Sequence, residues 1–232
     1  MHFLLIDTCT ERGVIAYGDQ HDPLFERHLP FGLSQSKFLM PYLLETLPSF
    51  GHPLILDAIG VGIGPGSYTG IRLGVAVAQA LAYSWKVPLV GVSSLDGFIP
   101  SESSVHFAAI LDARIGGVYC QKGWIDHKSV CYQEKPQVLT LDDLGNHLEG
   151  ITHLVTPAVK SLQAKLIQHY PERDWIWQEQ APSVHALLQS VEKKFIQGKS
   201  VLPPAHLDLL YLRQTEAERE VNKRKSEGHM IG

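Results

Sequence analysis

The sequence predicts an α/β protein made of two halves of one duplicated unit. The first observation behind this is an internal repeat. Leu5-Ile6-Asp7-Thr8 matches Ile110-Leu111-Asp112-Ala113, and Gly13-Val14 matches Gly117-Val118 with one residue slipped. The offset of about 105 residues, Asp7 to Asp112, implies duplication of a whole domain rather than a solenoid. The second is that short apolar runs of strand length alternate with segments of helical period. The third is a glycine-rich loop placed between such a strand and such a helix.

The elements follow in order. Residues 3–6 form an apolar run ended by Asp7, and residues 14–17 form a second, with Thr10, Glu11, Arg12 and Gly13 as the turn of a hairpin. Residues 24–31 pair as a third, more polar strand. From Ser34, Phe38, Leu39, Leu43, Leu44 and Leu47 recur near the helical period, with Ser34 or Ser36 as N-cap and Pro41 expected to kink or loosen the helix. Residues 58–63 read as a buried strand, 64–70 as the glycine-rich loop and 71–84 as a helix rich in Gly and Ala. Residues 87–92 are a strand, and Ser93 and Ser94 suit the cap of a short helix ending before Pro100.

The pattern then restarts with a strand into Asp112 and a hairpin over 118–134 that turns near Asp126 and His127 and sets Cys120 nearly opposite Cys131 as free thiols. Residues 141–148, 160–169 and 183–196 read as helices, the last capped by Ser183, and 152–155 as a strand. Residues 1–100 make the first half and 101–215 the second. Residues 216–232, with Glu216, Glu218, Arg219, Glu220 and Lys223-Arg224-Lys225, form a polar tail, frayed or disordered.

Composition limits the function. At 44% hydrophobic and 19% charged residues, against roughly 25% charged in an average soluble protein, the 232-residue chain folds rather than staying disordered. Its formal net charge of -4 is the wrong sign for unaided binding to nucleic acid. Three cysteines without C-x-x-C spacing point to a reducing, cytoplasmic compartment and to no cysteine zinc site. The run at 3–6 is too short for a signal peptide, and no segment approaches the roughly 20 apolar residues of a membrane span.

Among 12 histidines no two are three or four apart, so no helical metal pair is present and no metal is expected. Gly64-Pro65-Gly66-Ser67-Tyr68-Thr69-Gly70 lacks the G-K-[ST] of a Walker loop and the spacing of the dinucleotide fingerprint. It reads either as a tight structural turn or as a phosphate cradle at a helix N-terminus. Asp7 and Asp112, each at a strand end, either position magnesium or water against phosphate or cap their own turns. There is no G-x-S-x-G elbow, and Ser67 is the one loop serine in a suggestive setting.

Ile6-Asp7-Thr8, Gly64 to Gly74, Gly91-Val92-Ser93-Ser94-Leu95, Asp112-Ala113-Arg114-Ile115-Gly116-Gly117-Val118-Tyr119 and Tyr211-Leu212-Arg213, in that order, resemble the TsaB family over residues 1 to about 213. The resemblance implies a duplicated actin-like ATPase fold of the ribonuclease H-like type, each half a mixed sheet flanked by helices. It further implies a non-catalytic subunit needed for threonylcarbamoyl-adenosine modification of ANN-decoding tRNAs, which binds and activates TsaD and helps recruit TsaE. The tRNA is met only through the complex, and a homodimer of the free chain is an alternative pairing.

No cofactor is required on this reading, with ATP or ADP and Mg as vestigial ligands. A vestigial nucleotide or phosphate site would involve Asp7, Gly64, Gly66, Ser67, Thr69, Gly70, Arg72 and Asp112. The partner interface implied lies on the first helix at Gln35, Phe38, Leu39, Tyr42 and Leu43. On the second it lies at Thr69, Arg72, Leu73, Val75, Ala76, Gln79 and Ala80, with Ala78 and Ala82 nearby. Gln35 stands where many relatives carry His, and Leu209 where many carry Pro. Arg72 and Arg114 either bind phosphate, pair with Asp7 or form surface ion pairs. The competing function is an active Mg-ATP-dependent phospho- or acyltransferase using Asp7, Asp112 and the loop.

Overall fold

β1 (Phe3–Asp7), β2 (Val14–Gly18) and β4 (Ala58–Gly62) are buried at every position, so these strands must be covered on both faces, as their unbroken apolar runs require. The computed structural model describes residues 1–19, 21–32, 35–47, 55–114, 117–126, 129–201, 204, 207–210 and 212. In it β1 pairs antiparallel with β2, which pairs antiparallel with β3 (Pro23–His28), while β1, β4 and β5 (Leu89–Val92) run parallel. The order is β3-β2-β1-β4-β5.

The second sheet repeats this plan. β6 (Val105–Asp112) pairs antiparallel with β7 (Gly117–Asp126), and β7 with β8 (Ser129–Tyr132) and β9 (Gln137–Thr140). β10 (His153–Thr156) and β11 (Ile176–Glu179) continue parallel to β6. Read from its other edge, the order β8-β7-β6-β10-β11 matches that of the first sheet strand for strand in order and direction, with β9 as an addition paired to β7. The duplication legible around Asp7 and Asp112 is thus carried through the whole topology.

Alternation along β1 divides the first core: Leu4 and Ile6 face α1 (Ser36–Thr46) and α2 (Tyr68–Trp85), whereas Phe3 and Leu5 face α5 (Val184–Ile196). α5 belongs to the second half in sequence but lays Val184, Leu187, Leu188 and Val191 on the first sheet. On the second sheet, Ile110, Val118 and Cys120 face α3 (Leu141–His147) and α4 (Val159–His169). Its opposite face, with Phe107, Ala109 and Leu111, is covered by Leu95 and Phe98 of the link that follows β5. Residues 94–97 of that link form a 3-10 turn capped by Ser93. The layers therefore run α1 and α2, first sheet, α5 with the link, second sheet, α3 and α4.

Several expectations shift. α1 starts at Ser36 after Gln35, whose side chain makes no cap bond, and it runs on through the exposed Pro41, which forgoes only its own backbone bond. Ser34 lies outside the described residues. α2 starts at Tyr68, so Thr69 and Gly70 are helical rather than loop. The third strand stops at His28, and the short strands β9 and β11, each with two of four residues exposed, depart from the expected pattern. In the hairpin Cys131 stands opposite Trp124, while Cys120 faces Ile110 and Gln137, so the two thiols are not across from one another. All three cysteines are free. The turn residues His127 and Lys128, the tail at 216–232, and Tyr211 and Arg213 lie outside the described residues. Among the described residues no helix is long and apolar enough to cross a membrane.

Candidate functional site

Two surfaces collect the residues singled out above: the cleft between the halves, and the outer face of α1 and α2. The cleft, of about 340 Å³, is lined from the first half by Cys9, Thr10, Glu11 and the loop Gly66 to Thr69. The second half contributes Leu111 to Arg114, Tyr119, Thr156 to Ala158 and Leu162. Each half thus presents a strand-end Asx turn and a helix N-terminus.

The strand-end aspartates repeat each other in detail. Asp7 Oδ1 accepts from Cys9 N at 2.8 Å, and Asp112 Oδ1 accepts from Arg114 N at 2.8 Å. Their surroundings then diverge. Asp7 is 3% exposed and lies under the loop, with its carboxylate against Gly62, so it does not line the cleft. Burial raises its pKa, against the lowering effect of the Cys9 N–H bond. Burial beside Asp7 likewise raises the Cys9 thiol, keeping it protonated and unreactive. Asp112 does line the cleft, but Lys165 Nζ donates to both of its oxygens at 2.9 Å.

The glycines of the loop bring α2 onto the backbone of residues 8 and 9. A Cβ at Gly66 would stand 2.1 Å from the Cys9 carbonyl oxygen, and one at Gly70 2.1 Å from that of Thr8. Ser67 N donates to Cys9 O at 2.7 Å, Thr8 Oγ1 donates to Gly70 O at 2.6 Å, and Ser67 Oγ caps α2 by accepting from Gly70 N at 3.4 Å. Gly64 packs on Ile71 and on the Leu210 carbonyl. These contacts are those of a tight structural turn, and Ser67 is a helix cap. Thr69 lies on the cleft rim, and Arg72 stacks its guanidinium 4.0 Å above the Tyr68 ring. Asp7 and Asp112 are not brought together in one wall, and Arg72 does not line the cleft.

Arg12 and Glu179, which no sequence motif marks, brace the start of α4 beside the cleft. α4 begins at Val159 after Ala158, which has no capping side chain. Glu179 at the end of β11 supplies the missing cap, its Oε2 accepting from Val159 N at 2.9 Å. Its Oε1 takes Arg12 at 2.6 Å, and Arg12 Nε also donates to Pro157 O at 2.7 Å. The N-terminus of α4 thus already carries a carboxylate, which would repel a phosphate there. The donor set does not fit magnesium and a nucleotide: one carboxylate is buried away from the cleft, the other is paired with a lysine, and the second helix N-terminus is capped by Glu179. A signal for Thr156, Pro157 and Ala158 did exist, since they end β10 and lead on from it as Gly62 to Gly64 end β4 and lead on from it; Arg12 and Glu179 meet only in three dimensions.

On the outer helix face, Leu39, Leu43 and Val75 are 0%, 1% and 5% exposed and belong to the first core. They, and equally the buried Ala78 and Ala82, offer no surface to a partner. Gln35, also buried, donates from Nε2 to Thr10 O at 2.6 Å, bracing the β1–β2 turn within the chain. Gln79 Nε2 donates to Pro204 O at 3.1 Å. What remains outward is Arg72, Ala76 and Ala80 on α2, one turn apart, with Thr69 at its start and Leu73 half-buried beside them. Phe38 and Tyr42 are half-buried on α1, with the Arg27 guanidinium 3.6 Å above the Tyr42 ring. Met40, Leu44 and Tyr83 add exposed apolar surface.

Comparison with known proteins identifies this architecture. Residues 35–138 match the family model of TsaD, tRNA N6-adenosine threonylcarbamoyltransferase. The chain is 30% identical over 145 residues to the tRNA threonylcarbamoyladenosine biosynthesis protein TsaB of Escherichia coli, covering 60% of this chain and 62% of that one. It is 45% identical over 71 residues to TsaB of Bacillus subtilis, covering 29% and 30%. The chain therefore spans less than two thirds of the length of these curated relatives. YeaZ from Pseudomonas aeruginosa shares the fold at a TM-score of 0.76 and 22% identity, over 91% of this chain and 99% of that one. The two mixed sheets of one repeated plan, flanked by helices, are the fold that YeaZ shares. The matching family model and the bacterial relatives are thus proteins of tRNA threonylcarbamoyladenosine modification, each similar to part of this chain, and the fold is shared with YeaZ.

Proposed function

We propose that this chain is a non-catalytic subunit in the biosynthesis of threonylcarbamoyl-adenosine on tRNA. It docks on a TsaD-type transferase through the outer face of α1 and α2, renders that transferase active and helps to recruit TsaE. The observation that carries this reading is the closed cleft: Glu179 caps α4, Lys165 neutralises Asp112 and Asp7 is buried, so the groups that would bind Mg-ATP are engaged within the chain. The names of the bacterial relatives support the pathway, and the exposed stripe Arg72, Ala76 and Ala80, bordered by Leu73, Phe38 and Tyr42, supports the docking face. Small residues there let a partner helix approach closely. At net charge -4 the chain meets tRNA through its partner rather than by itself.

The test is co-elution of the purified chain with the cognate TsaD-type protein, for the natural sequence and for Ala76→Glu and Ala80→Glu. A complex lost in both variants, each still folded by circular dichroism, is the expected result. A complex that survives both moves the interface off this face. Calorimetry with Mg-ATP addresses the competing transferase reading: tight binding, with turnover abolished in Asp112→Ala, would establish that reading instead.

A further inference from the structure

Outside the cleft and the helix face, one side-chain cluster has the composition of a metal site. Cys120 on β7 points from the second sheet toward α3 and α4. There its sulfur meets Glu134, from the segment between β8 and β9, and His147 at the end of α3; one ligand atom from each lies within 4.8 Å of the other two. Spacings of 14 and 13 residues between the three conceal the cluster in the sequence, because no helical or hairpin repeat relates them.

The surroundings hold these groups in place. His147 Nε2 and Glu134 Oε1 are 2.7 Å apart. Lys122 N donates to Glu134 Oε1 at 3.3 Å and Gln137 Nε2 to Glu134 Oε2 at 3.0 Å, so both carboxylate oxygens are oriented from the sheet. Lys122 Nζ donates to the His147 carbonyl at 3.1 Å and lies 4.0 Å from Glu134 Oε2. Cys120 is fully buried, whereas the Glu134 and His147 side chains are 17% and 18% exposed, so solvent reaches the cluster at these two residues.

We propose that Cys120, Glu134 and His147 form a binding site for a zinc-class divalent cation, with water as the fourth ligand. A thiolate, an imidazole and a carboxylate match the sulfur, nitrogen and oxygen ligands of zinc, whereas magnesium and calcium sites are built from oxygen alone. The metal replaces the thiol proton of Cys120, which leaves to solvent as the sulfur–metal bond forms. The imidazole takes its Nδ1–H tautomer so that Nε2 becomes a ligand. Thiolate and carboxylate then balance the two positive charges of the ion, with Lys122 as an additional cation at the edge. Ligand atoms about 2.0 to 2.1 Å from a tetrahedral ion stand roughly 3.3 Å apart, so His147 and Glu134 separate by about half an ångström on binding. The ion ties β7, the segment after β8 and α3 together at the outer edge of the second sheet.

The test uses the full chain with Co2+ and then Zn2+ as probes. One equivalent of Co2+ should produce a sulfur-to-cobalt charge-transfer band that Zn2+ displaces. Cys120→Ser should abolish the band, and Cys131→Ser, at the exposed thiol, should leave it intact. His147→Gln is at a partly exposed position and tests the site independently of any folding defect from the buried cysteine; it and Glu134→Gln should each weaken affinity at least about tenfold. Gln137→Ala, which removes a donor to the carboxylate, should weaken it about tenfold as well. Absence of the band at one equivalent, its loss in Cys131→Ser, its survival in Cys120→Ser, or an unchanged affinity in His147→Gln would overturn the proposal.

Discussion

Arg12 and Glu179 join the two halves across the cleft through a 2.6 Å ion pair, while the second oxygen of the same carboxylate caps α4 at Val159. One side chain thus closes the domain interface and occupies a helix N-terminus. With the side chains 30% and 43% exposed, water screens the pair, and Arg12→Ala should cost about 1 kcal/mol. Glu179→Ala should cost about 1 kcal/mol more, because it also uncaps α4. Urea midpoints of the two variants check the order; equal losses would mean that the cap contributes nothing.

Gly70→Ala tests the contact between α2 and the first strand turn. In an open helix the change would gain about 1 kcal/mol. Here the added methyl stands 2.1 Å from a backbone oxygen of Thr8 that cannot swing aside, so a loss of about 3 kcal/mol is expected. Ser67→Ala, which removes only the cap, should lose about 1 kcal/mol. Both follow from thermal or urea unfolding.

The buried Asp7 gives a pH signature of defined sign. Its folded pKa is raised above the ordinary 3.8, so the folded chain holds this proton to higher pH than the unfolded chain does. Stability contributed by Asp7 is therefore present below the ordinary carboxylate range and is lost as pH rises through the folded value. Asp7→Asn lacks this loss. Its stability relative to the natural chain should improve between pH 4 and pH 7, as read from urea midpoints, and a difference that does not change with pH would contradict it.

Ala76 and Ala78 are two residues apart on α2 but face opposite environments, one exposed and one at 0% exposure. Ala78→Glu should cost more than about 3 kcal/mol or prevent folding, because it buries an unpaired charge. Ala76→Glu should change stability by less than about 0.5 kcal/mol. Circular dichroism melts distinguish the two directly.

The duplicated plan was legible because Asp7 and Asp112 follow matching apolar runs, and α5 was legible from its period and its Ser183 cap, whose side chain accepts from Ala186 N. What was not legible depends on long-range packing. β9 and β11 are four-residue strands whose exposure comes from edge or outer positions, so neither shows a long apolar run. The stripe of Leu39, Leu43 and Val75 has the same helical period whether it faces a sheet or a partner, and only the sheet beneath it decides. In the cleft, the loop and both aspartates could be read from the sequence, but their roles could not. Lys165 lies 53 residues from Asp112, and Glu179 lies 167 from Arg12, so no local pattern links either pair.

The central claim is that the chain acts by docking and carries no catalysis of its own. Threonylcarbamoyl-adenosine formed on an ANN-decoding tRNA, with a threonylcarbamoyl donor supplied, measures this most directly, using the chain alone, the cognate TsaD-type protein alone, and both together. Product is expected only when both are present, and is expected to be lost when Ala76→Glu replaces the natural chain. Modification by the chain alone, or full activity of the mixture with Ala76→Glu, would contradict it.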